Sequence, residues 1–442
     1  MVKNTPNFKM NRFAMQQLTH WKNSRNRMPL LIYGLRQTGK TWLMKEFGET
    51  NYANFAYLNF DKNDRLKSIF SGDFDINRII QSLSIETGIQ ISPKNTLIIF
   101  DEIQECPSAF TSLKYFTENA PDYHIVAAGS FLGVMTLTGT GVPVGKYDKI
   151  TMYPMTFLEF VEAVEPKYTD IIKNLDWDNL SIFHDNLIAL MKQYFFVGGM
   201  PAAVKEYAQT KSLAEVRKIQ GLLNDAYYGD FARHVPTEDI TRVRTIWDSV
   251  PIQLGKENKR FQYSNMKKGS RGRDYATALQ WLKDTRLISI INKVSLPNMP
   301  LAAYKEDNIF KIYSADIGLL SAKTDLSLKT YLEDDKLFSH YKGLLAEQFA
   351  YQELVANNQS MPLYYWANDK NTAEIEFVAQ YDGNTIPIEV KAGKNFKTKS
   401  LDVYKELFDP KITITASTKK FGRTNGYAVP LYMIGLFAKI VD

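Results

Sequence analysis

Cysteine is nearly absent. Cys106 is the only one in 442 residues, which rules out an internal disulfide and any cysteine-built zinc site and fits a reducing compartment. Histidine is scarce too: the five present fall in no HxH or HExxH spacing, so zinc hydrolysis lacks its usual ligands. No Gly-x-Ser-x-Gly turn occurs, which removes the nucleophile elbow of one large hydrolase class. Long hydrophobic runs are missing as well. The longest, LYMIGLFAKIV at 431–441, is about half of the roughly 20 residues a membrane-spanning helix needs and reads as a buried strand. The N-terminal MVKNTPNFKMNRFAMQQL has no apolar core of signal-peptide type. No repeat or low-complexity tract appears. The expectation is a soluble, cytoplasmic protein without membrane contact.

What is there is ordinary globular material: 45% hydrophobic and 23% charged residues, with a net charge of +6. The length suggests two or three domains.

The stretch LIYGLRQTGKTWLMKEF (31–47) carries the most information. An apolar strand-like run precedes Gly34-Leu35-Arg36-Gln37-Thr38-Gly39-Lys40-Thr41, and an amphipathic helical pattern follows it. The octet fits G-x-x-x-x-G-K-[ST]. Gly34 and Gly39 let the backbone turn so that successive N–H groups face phosphate oxygens, and the helix starting near Lys40 adds its positive end. Lys40 would reach the β- and γ-phosphates, and the Thr41 hydroxyl would ligate Mg²⁺. The expected nucleotide contacts run from Gly34 through Leu35, Arg36, Gln37, Thr38, Gly39, Lys40 and Thr41 to Trp42.

NTLIIFDEIQECP (95–107) supplies the second part. Leu97–Phe100 has the character of a buried parallel strand, and it ends in Asp101-Glu102. In doubly wound sheets, ligands sit at the carboxyl ends of strands. Asp101 is expected to hold the Mg²⁺ and Glu102 to activate the attacking water. A third strand, YHIVAAGS, ends at Ser130.

The segments GLRQTGKT, LIIFDEIQECP, AAGSFLG, YPMTFLEF, YFFVGGMPAAV and FKIYSADIGLL occur in this order. Together they resemble a large group of bacterial and archaeal ATPases. In that group an AAA-superfamily P-loop domain is followed by a C-terminal domain of unknown function. The resemblance implies ATP and Mg²⁺ as cofactors, with Lys40, Thr41, Asp101 and Glu102 in the roles above and Ser130 sensing the γ-phosphate. It also implies hydrolysis aided by an arginine, for which Arg36 and Arg233 are candidates, and a possible homo-oligomer. It does not imply a substrate.

Between Gly255 and Arg273 seven basic residues (Lys256, Lys259, Arg260, Lys267, Lys268, Arg271, Arg273) stand against one acid, Glu257. A helical pattern and a hairpin-like pattern follow, the layout of a winged helix. The basic run suits DNA phosphates or equally a solvated face.

Further on, KGLLAEQFAYQEL places Glu347 on an amphipathic helix. TIPIEVKAG then gives Glu389 and Lys391 on one face of a strand, one hairpin after Glu376. This resembles the PD-(D/E)XK nuclease core, in which Glu376 and Glu389 would share a second divalent ion beside Lys391. Glu376 stands where that family usually has aspartate, one methylene shorter. Lys394, Lys397 and Lys399 lie nearby and suit either a nucleic-acid backbone or an exposed loop.

The expected architecture is therefore α/β throughout most of the chain. Residues 1–200 would be an AAA-type ATPase, 201–328 a helical winged-helix domain, and 329–442 a nuclease-like α/β domain. Three functions compete: an Mg-dependent ATPase coupled to the C-terminal region, an ATP-gated nuclease acting on DNA, and a nucleotide-dependent switch that binds DNA or protein.

Overall fold

The structure is a computed structural model that describes residues 10–130, 145–256, 259–266, 271–324, 337–393, 398–423 and 426–442, with side chains of 337–342 excluded. The chain divides into two compact units, 11–153 with 284–286, and 154–283 with 287–442.

In the first unit five parallel strands form one sheet: β1 (Leu30–Gly34), β2 (Asn54–Asn59), β3 (Thr96–Asp101), β4 (His124–Ala128) and β5 (Asp148–Met152). Their order is β2-β3-β4-β1-β5. β1, β3 and β4 are buried along their whole lengths, as expected of strands covered by helices on both faces. Alternate residues feed opposite cores. Leu30, Ile32, Leu97, Ile99 and Val126 pack with Leu18, Trp21, Leu43 and Phe47 from helices Ala14–Asn23 and Lys40–Asn51. Leu31, Tyr33, Ile98, Phe100 and Ile125 pack with Ile79, Leu83, Phe110 and Leu113 from helices Ile76–Thr87 and Pro107–Asn119. The period of two thus sorts a continuous apolar run onto two faces. Pairing of Asn59 with Asp101 and of Asp101 with Ala128 brings three strand ends level at one edge of the sheet.

The second unit begins helically and ends in an eight-stranded mixed sheet ordered β12-β13-β11-β10-β9-β8-β6-β7. Its strands are β6 (Ile288–Val294), β7 (Lys305–Ser314), β8 (Leu363–Ala367), β9 (Glu374–Tyr381), β10 (Asn384–Val390), β11 (Ile414–Ser417), β12 (Gly422–Arg423) and β13 (Tyr427–Pro430).

The sequence reading placed domain boundaries at 200/201 and 328/329, whereas the compact units part at 153/154. Two packing facts explain the difference. The Gly198-Gly199-Met200-Pro201 break is buried, with Gly199 N–H donating to Asp316 Oδ2 at 2.6 Å. Strand β6 pairs in parallel with β8 (Lys293 opposite Tyr365, Val294 opposite Trp366). The β6–β7 hairpin, expected as a wing, is therefore part of the C-terminal sheet.

Candidate functional site

Gly34 ends β1 with φ 156° beside β5, and a Cβ there would lie 2.4 Å from the carbonyl oxygen of Met152. Gly39 caps the following helix at φ 90°, a left-handed setting that favours glycine. Between them Gln37 also turns left-handed, at φ 66°. Thr38 Oγ1 donates to Leu35 O at 2.8 Å, which ties the loop to itself. Arg12 fastens it from outside, donating to Thr38 O and to Tyr153 O, both at 2.7 Å. Nothing in the sequence near Arg12 marks this role.

Lys40 is buried at 6% exposure. Its ammonium donates to Gly34 O and Leu35 O at 2.9 Å and to Ser130 Oγ at 3.3 Å. Burial pulls its pKa down to about 8, against the upward pull of Glu102 and Asp101, while Arg36 adds to the lowering. The Lys40–Ser130 contact joins the helix after β1 to the residues that follow β4.

Thr41 Oγ1 donates to Asp101 Oδ2 at 2.7 Å. Tyr57, from β2, donates to the same oxygen at 2.9 Å, and Glu102 N–H donates to Oδ1 at 3.1 Å. Lys45 Nζ lies 3.7 Å from the centroid of the Tyr57 ring. Tyr57 was not legible as a site residue, because only the β2–β3 pairing carries it to Asp101. Glu102 adopts φ 50°, ψ 45° and starts a short 3₁₀ turn, Ile103–Glu105. Gln104 Nε2 donates to Glu102 Oε2 at 2.6 Å. Trp42 is partly exposed just past the loop, and Arg36 is half-buried within it.

Lys40 and Thr41, adjacent at the start of one helix, thus reach Ser130 just past β4 and Asp101 at the end of β3. The Thr41–Asp101 contact is the fit test for magnesium: two hard oxygen donors, one anionic, already meet where a small divalent ion keeping several waters needs one or two protein ligands. Among the described residues no group of three or more His, Cys, Asp or Glu is arranged as a metal cage, which that mode of binding does not require.

Residues 26–161 match the family described as an AAA domain. The N-terminal region is thus similar to AAA-type domains. Two further stretches, residues 188–330 and 342–434, match domains of unknown function, DUF8612 and DUF4143. No curated protein matches the sequence. Among solved structures, a Walker-type ATPase of Pyrococcus abyssi is 15% identical with a TM-score of 0.47, the match covering 72% of this chain and 96% of that one. The Aeropyrum pernix ORC1 protein in complex with DNA is 11% identical with a TM-score of 0.27, covering 70% of this chain and 90% of that one. Cdc6p from Pyrobaculum aerophilum is 13% identical with a TM-score of 0.24, covering 76% and 94%. Scores this low do not establish a shared architecture over the whole chain. No helix among the described residues is long and apolar enough to cross a membrane.

In the second unit, the carboxylates singled out in the sequence do gather, but with lysines between them. Glu376 Oε2 accepts from Val390 N–H at 3.0 Å. Lys391 Nζ lies 2.9 Å from Glu389 Oε1 and 4.0 Å from Glu376 Oε1. Lys391 is thus the ionic partner of Glu389, whose side chain is fully buried. Beside them Glu347 accepts from Lys311 at 3.0 Å, from Tyr313 at 2.6 Å and from Lys259. Lys311, fully buried, also bonds Glu374 at 2.5 Å.

Burial would raise Glu347, but Lys259 and Lys311 outweigh it and hold the carboxyl down at about 2. Burial lifts Glu376 to about 7, with Lys391 opposing and Glu347 assisting. In this arrangement a lysine, Lys391, is the counter-charge of both proposed metal ligands.

The basic run is likewise partly engaged internally. Lys259 pairs with Glu347, and Lys256 bonds Asn265, while Arg271 and Arg273 are exposed. Glu257, Lys267, Lys268, Lys394 and Lys397 lie outside the described residues. Lys399 is exposed at the start of helix Lys399–Phe408, and Arg233 is exposed on helix Leu213–His234.

Proposed function

We propose that the N-terminal unit binds ATP with Mg²⁺ and hydrolyses it. The observation that carries this reading is the arrangement in which Lys40 reaches Ser130 and Thr41 reaches Asp101 beside a loop whose first residue, Gly34, has no room for a Cβ. Lys40 holds three acceptors of the protein itself, and triphosphate oxygens would replace the two loop carbonyls as its partners. The loop N–H groups and the start of helix Lys40–Asn51 orient the phosphates. Thr41 and Asp101 would hold the magnesium, which when bound neutralises charge on the phosphate oxygens. Glu102 accepts the proton of the attacking water, and Ser130 donates toward the terminal phosphate. Electrostatic positioning of this kind supplies most of the rate in phosphoryl transfer.

Calorimetry and phosphate release test it. Lys40→Ala abolishes ATP binding, whereas Glu102→Gln keeps binding and stalls turnover by about 10²–10⁴-fold, the usual share of general base catalysis. ATP affinity unchanged in Lys40→Ala would defeat the assignment.

For the second unit we infer a structural ion network rather than a nuclease centre, on the observation that Lys391 pairs with Glu389 and Glu376 while Lys311 joins Glu347 to Glu374 beside them. Incubation of the purified chain with DNA and Mg²⁺ or Mn²⁺, with and without ATP, leaves the DNA intact. Cleavage that stops with Lys391→Ala would overturn this.

A further inference from the structure

Glu102 needs more than its place in the sequence to act on a water molecule. It sits at the end of β3 in a left-handed conformation, φ 50° and ψ 45°, which costs a side chain with a Cβ about 1–2 kcal/mol. It can therefore turn toward the phosphate loop only if something fixes it there. The Glu102 charge acts on Lys40, opposing the fall that burial imposes on its pKa.

The 3₁₀ turn that follows holds the next residues rigidly. Ile103 is buried in the core on one face of the sheet, and Glu105 N–H donates to Glu102 O at 3.0 Å. Gln104 is the middle residue of that turn. Its Nε2 donates to Glu102 Oε2 at 2.6 Å, and Glu102 Oε1 accepts no hydrogen bond among the described residues. Which end of the amide faces Glu102 follows from chemistry, since a carboxylate accepts only from N–H. The other end, Oε1 of Gln104, is buried without a partner. A buried carbonyl left unpaired is unfavourable, so the amide orientation is set by its bond to Glu102 and not by a competing donor.

We propose that Gln104 is a positioning residue for hydrolysis: its amide clamps one oxygen of Glu102 and leaves the other free for the water that attacks the terminal phosphate. This rests on the ATPase reading above. Gln104 acts through Glu102, the group its amide holds. A residue in this role changes turnover and leaves nucleotide binding alone, because the Glu102 carboxylate contributes at the chemical step.

The experiment compares the full-length chain with Gln104→Ala, Gln104→Met and Gln104→Glu, each alone and combined with Glu102→Gln, by steady-state ATP hydrolysis and nucleotide-binding calorimetry. Gln104→Met keeps the length of the side chain and loses only the donor, so it serves if Gln104→Ala folds poorly. The expected result is a fall in kcat of about tenfold or more with KM and nucleotide affinity within about twofold, corresponding to one lost orienting hydrogen bond. In the Glu102→Gln background the same changes have no further effect, because interacting residues are not additive. Gln104→Glu, which sets a like charge against Glu102, is the slowest of the three. Equal kcat in the wild type and the Gln104 variants overturns the inference while leaving the ATPase intact. Additive losses in the double variants overturn it too, since they place Gln104 outside the action of Glu102. Absence of any Lys40-dependent turnover in the wild type overturns both readings together.

Discussion

Replacing Tyr57 by phenylalanine removes one hydroxyl from the edge strand and leaves the ring beneath Lys45 in place. Asp101 Oδ2 accepts from Thr41 at 2.7 Å and from Tyr57 at 2.9 Å. A metal ion held by Thr41 would take a lone pair of its oxygen and leave the O–H on Asp101, with Tyr57 as the second side-chain donor fixing this carboxylate oxygen. A hydrogen bond to a charged group contributes about 1.5–3 kcal/mol. Tyr57 is half-buried, so the lower end applies, and about 1.4 kcal/mol is tenfold in affinity. Loss of an outer partner of a metal ligand falls in the same range, about 10–100-fold. The Tyr57→Phe variant therefore needs about ten times more Mg²⁺ for half-maximal ATP hydrolysis, while its affinity for ATP in EDTA matches the wild type. Magnesium titration of phosphate release at saturating ATP reads the first quantity, and calorimetry reads the second. An unchanged magnesium midpoint would refute the placement of Asp101 as the metal-side carboxylate. A loss of ATP affinity in EDTA would show that Tyr57 supports the fold of the loop instead.

Two stability predictions concern the second unit. Lys311→Met leaves Glu347 and Glu374 without their shared, fully buried cation. Breaking a buried pair costs about 3–5 kcal/mol, and Glu347 keeps Lys259 and Tyr313, so about 3 kcal/mol is expected from chemical denaturation; a loss below about 1 kcal/mol would show that the network contributes little. Glu353 is buried, accepts from Phe157 N–H at 2.8 Å, and is lifted by burial, with Glu159 assisting, to about 8. The unfolded chain releases this proton near the ordinary carboxyl value while the folded chain keeps it, so stability falls as pH rises through that interval toward 8. Glu353→Gln removes this contribution: thermal unfolding at pH 8 occurs at a higher temperature than in the wild type, and the difference shrinks toward pH 4.5. A gap that is constant with pH would contradict a protonated Glu353.

The glycine-containing turn between β1 and the next helix could be read from the sequence because its parts are contiguous. Gly34 to Thr41 carry their own turn geometry, and the apolar runs on either side declare strand and helix by local period alone. Asp101 and Glu102 were legible for a similar reason, as acids ending a run that only a doubly covered strand tolerates. Sheet order decided the rest. Tyr57 reaches Asp101 because β2 lies beside β3, and Ser130 reaches Lys40 because β4 lies beside β1. No spacing along the chain encodes either neighbour. Charge is where sequence said least: folding sets Lys259 against Glu347 and Lys391 against Glu389. A side chain's charge is fixed by its identity, but whether that charge meets water, a phosphate or a buried carboxylate depends on which distant segments the fold brings together.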